Sequence, residues 1–89
     1  MKQPYLEVTF RHGRAIAAYL YLPGEPEEKS CQTKRVEPGM VVDFGPSGRA
    51  IGIEITAPSL VSASSLNRVL ADLGLSSITD EDLAPLQAA

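Results

Sequence analysis

Residue types that build common catalytic and cofactor sites are scarce in this sequence. The 89 residues include one cysteine, one histidine and no tryptophan. One cysteine cannot form an intramolecular disulfide or a multi-cysteine metal site within one chain. One histidine with no nucleophile motif around a serine or cysteine predicts no catalytic triad. We therefore expect a non-enzymatic protein of the reducing cytoplasm, with no catalytic residues and no cofactor.

Excess positive charge and long apolar segments are also lacking. The formal net charge is -3 at pH 7, which argues against general nucleic-acid binding, because neutralising phosphates requires a basic surface. The apolar run at residues 15–22 is far shorter than the ~20 residues of a membrane helix. Glu7 before it and the glutamates after it are not typical of a signal peptide. We interpret the run as a strand and expect no membrane partner.

Hydrophobic residues are present in the amount and pattern of a folded domain. They make up 44% of the chain, which suits one domain over residues 1–89 with one modest core. Alternating apolar residues predict a sheet over about residues 5–57, and helical spacing follows over about 60–87. We expect an α+β fold. Its sheet is an antiparallel four- to five-stranded β-meander with one C-terminal helix packed on one face, plus a short terminal helix or turn.

Two hairpins dominate the predicted sheet. In the first, a three-residue turn at residues 12–14 keeps the large aliphatic side chains on one face, whereas a two-residue turn would scatter them over both faces. The second hairpin has its connection at residues 45–48. The expected opposed pairs are Phe10 with Ile16, Val8 with Ala18, Leu6 with Leu20, Phe44 with Ile51, Val42 with Ile53, and Met40 with Ile55.

The remaining predicted elements are a loop, an edge strand and two helices. Residues 23–30 contain two prolines and three glutamates and predict a loop. An edge strand over about residues 31–36 follows and enters a turn at Pro38 and Gly39. After Pro58, a helix of the spacing i, i+3, i+4, i+7 has Ser62 or a neighbouring serine as N-cap and Gly74 just after its end. Thr79 caps a last short helix, which Pro85 should limit.

One segment resembles a known family. Residues 42–59 read V-D-F-G-P-S-G-R-A-I-G-I-E-I-T-A-P-S and resemble the pattern V-D-Y-D-x-D-G-x-L-V-G-I-E-I-L-D-A-S of DUF2283, a bacterial family of small uncharacterised domains. Including a similar second-strand pattern, the resemblance covers about residues 10–59. It implies a fold pattern and no established activity. The chain departs from the family at His12, Arg14 and Ile16, usually acidic, and at Ala57, where aspartate is common. Direct matches are Asp43, Gly48, Gly52, Ile53, Glu54, Ile55 and Ser59.

Asp43 and Glu54 form the first candidate site. In the register above both carboxylates leave the non-core face as diagonal neighbours, so they could hold a cation or perform acid–base chemistry. The alternative is a solvated face in which Lys34 lies opposite Asp43. No third ligand is evident, so we predict no metal site beyond these weak candidates.

Two other features have simple structural readings. His12 with Arg11 and Arg14 forms a small basic tip that could contact a phosphate or an acidic partner, or could be plain turn chemistry. Cys31 is interpreted as a small edge-strand residue.

Three tyrosines carry the preferred hypothesis. Tyr5 opposite Tyr21, and Tyr19 opposite Glu7, place all three on the face away from the core, and tyrosine is enriched at protein interfaces. The face could instead be covered by the acidic loop or the C-terminal segment. We predict an interaction module that binds itself, as a homodimer, or another protein. The alternatives are a cation-binding protein or small enzyme using Asp43 and Glu54, and a regulator or antitoxin-like partner-binding protein.

Overall fold

The computed structural model describes residues 3–23 and 29–87, so residues 24–28 of the predicted loop lie outside the described residues. One antiparallel sheet is followed by a single 3-10 turn and by helices. The expected α+β class is confirmed. The elements are β1 (Tyr5–Arg11), β2 (Arg14–Tyr21), β3 (Gln32–Glu37), β4 (Met40–Phe44), β5 (Ala50–Ile55), the 3-10 turn (Pro58–Leu60), α1 (Ala63–Asp72) and α2 (Asp80–Gln87).

The strand order is β1-β2-β5-β4-β3. A simple meander is therefore wrong at one junction, because β2 pairs with β5 instead of β3. The apolar content of the strands accounts for this order. Ile53 and Ile55 of β5 are fully buried, whereas the first four residues of β3 are exposed. Central positions favour strands with apolar side chains to bury, and β3 takes the edge as predicted.

The three-residue turn predicted for the first hairpin at residues 12–14 is wrong, because Arg14 already pairs with Arg11. The turn has two residues, His12 (φ 52°) and Gly13 (φ 78°), both in the left-handed region that a type I′ turn requires. Phe10 therefore lies opposite Ala15, and the predicted pairing with Ile16 is wrong. A bulge at Ile16 then shifts the register, and the pairings of Val8 with Ala18 and Leu6 with Leu20 are confirmed. Phe10 and Ile16 are 47% and 45% exposed, outside the core.

A one-residue bulge also occurs in each of the other two hairpins. In the second predicted hairpin, Met40 and Val42 lie opposite Ile55 and Ile53 as expected, but Phe44 pairs with Ala50, since Ile51 is the extra residue of a bulge. Between β3 and β4, Val36 is the skipped residue. Lys34 therefore lies opposite Val42, not Asp43 as predicted, and Thr33 takes the place across from Asp43.

One face of the sheet forms the core with both helices. Ser62 and Ser65 make a reciprocal capping box at the start of α1. Gly74 (φ 76°) ends it with the two hydrogen bonds of a Schellman motif. Both ends were predicted. The buried residues are Ala18, Leu20, Leu22, Met40, Val42, Ile53, Ile55, Val61, Leu66, Val69, Leu70, Ile78, Leu83 and Leu86.

The last helix is longer than expected. The Thr79 hydroxyl accepts from the Asp82 backbone N–H at 3.2 Å, as the predicted cap requires. However, α2 continues to Gln87, so Pro85 does not limit it. Burial of Leu83 and Leu86 against the sheet offsets the backbone hydrogen bond that Pro85 cannot donate. Across the described residues, no helix has the length and apolar character to cross a membrane.

Candidate functional site: the tyrosine face

The sheet face opposite the core, here called the tyrosine face, consists of two rows of residues that cross all five strands. Successive residues of a strand point to opposite faces, so this face carries the residues that alternate with the core positions. The first row, from β1 to β3 in sheet order, is Tyr5, Tyr21, Gly52, Asp43 and Thr33; the second row is Glu7, Tyr19, Glu54, Val41 and Arg35.

The three tyrosine rings form one contiguous cluster. The rings of Tyr5 and Tyr21 have centroids 5.7 Å apart at an interplanar angle of 39°, and those of Tyr19 and Tyr21 lie 4.7 Å apart, edge to face, at 63°. Such tilted pairs are favourable because the ring edge is positive and the ring face negative. Tyr5 is 57% exposed and Tyr21 36% exposed. The predicted pairings, Tyr5 with Tyr21 and Tyr19 with Glu7, are confirmed.

The ring of Tyr19 reaches across a neighbouring strand. Its hydroxyl donates to Oδ2 of Asp43 at 2.8 Å, although Tyr19 lies on β2 and Asp43 on β4. The strand between them is β5, and the residue beneath the ring is Gly52. A Cβ built on Gly52 would overlap the hydroxyl and ring carbons of Tyr19. Glycine at this position therefore provides the space that lets Tyr19 reach Asp43.

Asp43 is a buried carboxylate with one unpaired oxygen. The residue is only 6% exposed. Its Oδ2 accepts the Tyr19 hydroxyl, but its Oδ1 is buried with no hydrogen-bond partner among the described residues. Leaving a charged acceptor buried and unpaired costs more than the net gain of an ordinary hydrogen bond. This oxygen is the chemically unusual atom of the face.

The tyrosine hydroxyls lie in a negative field. Burial, the hydrogen bond to Asp43 and the charges of Asp43 and Glu54 raise the pKa of Tyr19 well above its usual range. The Glu7 carboxylate, which accepts the Tyr21 hydroxyl at 3.3 Å, is the main cause that raises the pKa of Tyr21. Both hydroxyls therefore stay protonated at neutral pH. In the structure they donate hydrogen bonds to Asp43 and Glu7.

The two carboxylates predicted as a pair have different environments. Asp43 lies opposite Gly52 and Glu54 opposite Val41, so the predicted diagonal arrangement is present. Glu54 is exposed, whereas Asp43 is buried and bonded to Tyr19. Within residues 3–23 and 29–87, no three His, Cys, Asp or Glu side chains come close enough to hold a metal ion. A cation bound by Asp43 and Glu54 stays a prediction.

The other candidates lie outside the two rows. By alternation along β1, Arg11 and its partner Arg14 belong to the same sheet face, at the tip of the first hairpin. His12, Arg11 and Arg14 are exposed at the tip of the first hairpin. Cys31 is a free, exposed cysteine next to β3.

The described C-terminal segment leaves Tyr5 and Tyr21 exposed, although Tyr5 lines one cavity with Ile78, Asp82 and Leu83 of that segment. Ile78, Leu83 and Leu86 pack into the core on the opposite face. The other proposed cover, the acidic loop, includes residues 24–28, which lie outside the described residues. Sequence reasoning missed the bond between Tyr19 and Asp43. The available signal was Gly52, because a glycine inside a central strand often marks the close approach of another group.

A comparison with family models and known proteins adds one finding. Residues 17–58 match the family model described as protein of unknown function, DUF2283. No curated protein and no solved structure matches the chain. The matched segment includes the second half of β2 and all of β3, β4 and β5, and with them Tyr19, Gly52, Asp43 and Glu54. The resemblance to the DUF2283 family that the sequence predicted is thus confirmed over residues 17–58.

Proposed function

We propose that this protein is a non-enzymatic, cytoplasmic interaction module, whose tyrosine face binds a basic segment of another protein. The observation that carries the proposal is the cluster of Tyr5, Tyr19 and Tyr21, with rings in mutual contact on a sheet face away from both helices. Tyrosine supplies a large contact area with few rotatable bonds to immobilise, and it is prominent among residues that dominate binding energy.

The charges of the face favour a basic partner. Glu7, Glu54 and Asp43 lie among the tyrosines, and Arg35 is the cationic residue of the two rows, at their β3 end. Complementary charge steers association and disfavours wrong partners. Tyrosine rings also attract Lys and Arg side chains through their negative faces. A basic segment satisfies both the carboxylates and the rings.

The same charges disfavour a second copy stacked face to face. Such a dimer would bring the carboxylates of two tyrosine faces together, and like charges in an interface are unfavourable. A partner different from this chain is therefore the better occupant. A homodimer is kept as an outcome of the test below.

Site-directed photo-crosslinking in the native cells tests the proposal. A photoreactive phenylalanine analogue replaces Tyr5 in one variant and Leu60 in a matched control. Both side chains are largely exposed, at 57% and 62%, so neither change should disturb folding. Leu60 belongs to the 3-10 turn and not to the tyrosine face.

The expected result is a crosslinked protein at position 5, joined through a peptide rich in Lys or Arg, and absent at position 60. Adding Tyr21→Ala should reduce the yield about tenfold or more, the effect of losing a dominant interface residue. Products that are the same at both positions, or no product at position 5, contradict the proposal. A product of twice the chain mass from position 5 would replace the basic partner with a second copy.

A further inference from the structure

The unpaired oxygen of Asp43 indicates which residue of the partner matters most. Resting on the proposed function, we infer that Asp43 is the anchor of the tyrosine face and that its Oδ1 accepts a hydrogen bond from the guanidinium of a partner arginine. The residue is nine-tenths buried, and Oδ1 has no hydrogen-bond partner within residues 3–23 and 29–87. Buried acceptors are nearly always paired in folded proteins. An incoming donor would complete the carboxylate.

The chain itself offers few donors for this atom. Tyr19 already donates to the other oxygen, Oδ2. Directly across the strands lie Thr33 and Gly52, and the diagonal neighbours are Arg35 and Glu54. Of these, only Arg35 is cationic, and its side chain makes no ion pair in the described part of the chain. Arg35 is therefore the cationic internal competitor that the test must address, beside the Thr33 hydroxyl, which is a neutral donor.

The surroundings of Asp43 favour arginine over lysine. A guanidinium is planar, stacks on aromatic rings and is weakly hydrated, whereas an ammonium is compact and strongly hydrated. The rings of Tyr19 and Tyr21 lie at the same site, which suits stacking. A weakly hydrated cation also loses less on approaching an oxygen that solvent does not reach. Because Oδ1 is shielded in the free protein, binding includes a rearrangement of side chains on this face.

Nuclear magnetic resonance titration of the full chain tests this inference without knowledge of the partner. The probes are N-acetyl-arginine amide, N-acetyl-lysine amide and calcium chloride, at matched ionic strength. We expect saturable shifts of the backbone amides of Asp43, Gly52 and Tyr19 with the arginine probe. The lysine probe should bind several-fold more weakly. Calcium should cause no saturable change in the chemical shifts of these amides.

Two matched variants separate the anchor from general charge. Asp43→Asn keeps the shape of the side chain and should weaken arginine binding about tenfold or more, the effect of a hydrogen bond to a charged group. Glu54→Gln removes one charge from the same face and should weaken it only two- to threefold, roughly the effect of a surface charge. Arg35→Gln should leave binding unchanged or tighten it, since it removes a competing cation.

Three results of the titration overturn the inference: equal weakening by Asp43→Asn and Glu54→Gln, saturable shifts of the Asp43 and Gly52 amides with calcium, or no arginine-specific shift in the native chain. The last readout needs no variant, so it holds even if Asp43→Asn folds poorly. Capture of a basic partner that Asp43→Asn leaves unchanged would refute the anchor but keep the proposed function. Arginine binding at Asp43 without any captured partner would keep Asp43 as an arginine-binding residue but refute the proposed function.

Discussion

Replacing Gly52 with alanine should destabilise the protein, because the new Cβ would occupy space that the Tyr19 ring now fills. The ring would have to move, and its hydrogen bond to Asp43 would be lost. A hydrogen bond to a charged group contributes about 1.5–3 kcal/mol, and the edge-to-face contact with Tyr21 adds about 0.5–1.5 kcal/mol. Alanine in place of glycine itself stabilises the folded state by about 0.5–1 kcal/mol, because the unfolded chain then has less conformational freedom to lose. The net cost should be about 1–4 kcal/mol.

Urea and thermal unfolding measure this cost. For a domain of this size, each 1 kcal/mol corresponds to about 4–8 °C in Tm. The control is a double-mutant cycle with Tyr19→Ala, which removes the ring before the Cβ is added. In that background, Gly52→Ala should be neutral or should stabilise by about 0.5–1 kcal/mol. If Gly52→Ala has the same effect with and without the Tyr19 ring, the proposed packing of the ring on Gly52 is refuted.

Two further predictions concern Tyr19 and the first helix. The pKa of Tyr19 is raised in the folded state above its ordinary value of 10.0. The stability that its protonated hydroxyl contributes is therefore fully present below about pH 10. This stability is lost as the pH rises further, because the tyrosine ionises first in the unfolded chain. The free energy of unfolding should therefore fall above about pH 10. The fall should be less than ~1.4 kcal/mol per pH unit, because Tyr19 is only half-buried. Tyr19→Phe should make this fall less steep. An unchanged pH slope in Tyr19→Phe would contradict the assignment. Ser62→Ala should cost about 0.5–2 kcal/mol in urea unfolding by removing the cap of α1; Ser64→Ala, which leaves the bonds to the Ser65 and Ser62 backbone N–H groups in place, is the control and should cost less.

The caps of α1 and the turn at Gly39 could be predicted from sequence because they depend on neighbouring residues. Ser62 and Gly74 mark the two ends of α1 through local hydrogen bonds and a positive φ. The turn at Gly39 likewise needs a positive φ, which glycine adopts at little cost. Alternating apolar residues gave the correct core pairs of the second hairpin, Met40 with Ile55 and Val42 with Ile53.

The bulges could not be predicted in this way. Each of the three hairpins has a tight turn whose local preference places the strands one residue out of register with the core. Ile16, Val36 and Ile51 absorb the difference. A slip of one residue would turn a whole strand face outward, so burying the core favours the bulge over a longer turn. This choice depends on the free energy of the complete sheet.

The candidate site likewise has one part that local sequence predicts and one part that depends on the complete sheet. Alternation along β1 and β2 was enough to place Tyr5, Tyr19 and Tyr21 on one face, because side chains alternate with period two whatever the strand's neighbours. The burial of Asp43 and its bond to Tyr19 required the pairing of β2 with β5, which brings Gly52 under the Tyr19 ring. That pairing joins residues more than thirty positions apart in the chain, and no local pattern encodes it. Strand faces and helix caps thus follow from short-range geometry, whereas hairpin register, strand order and the unpaired oxygen of Asp43 arise when the whole sheet packs around one core.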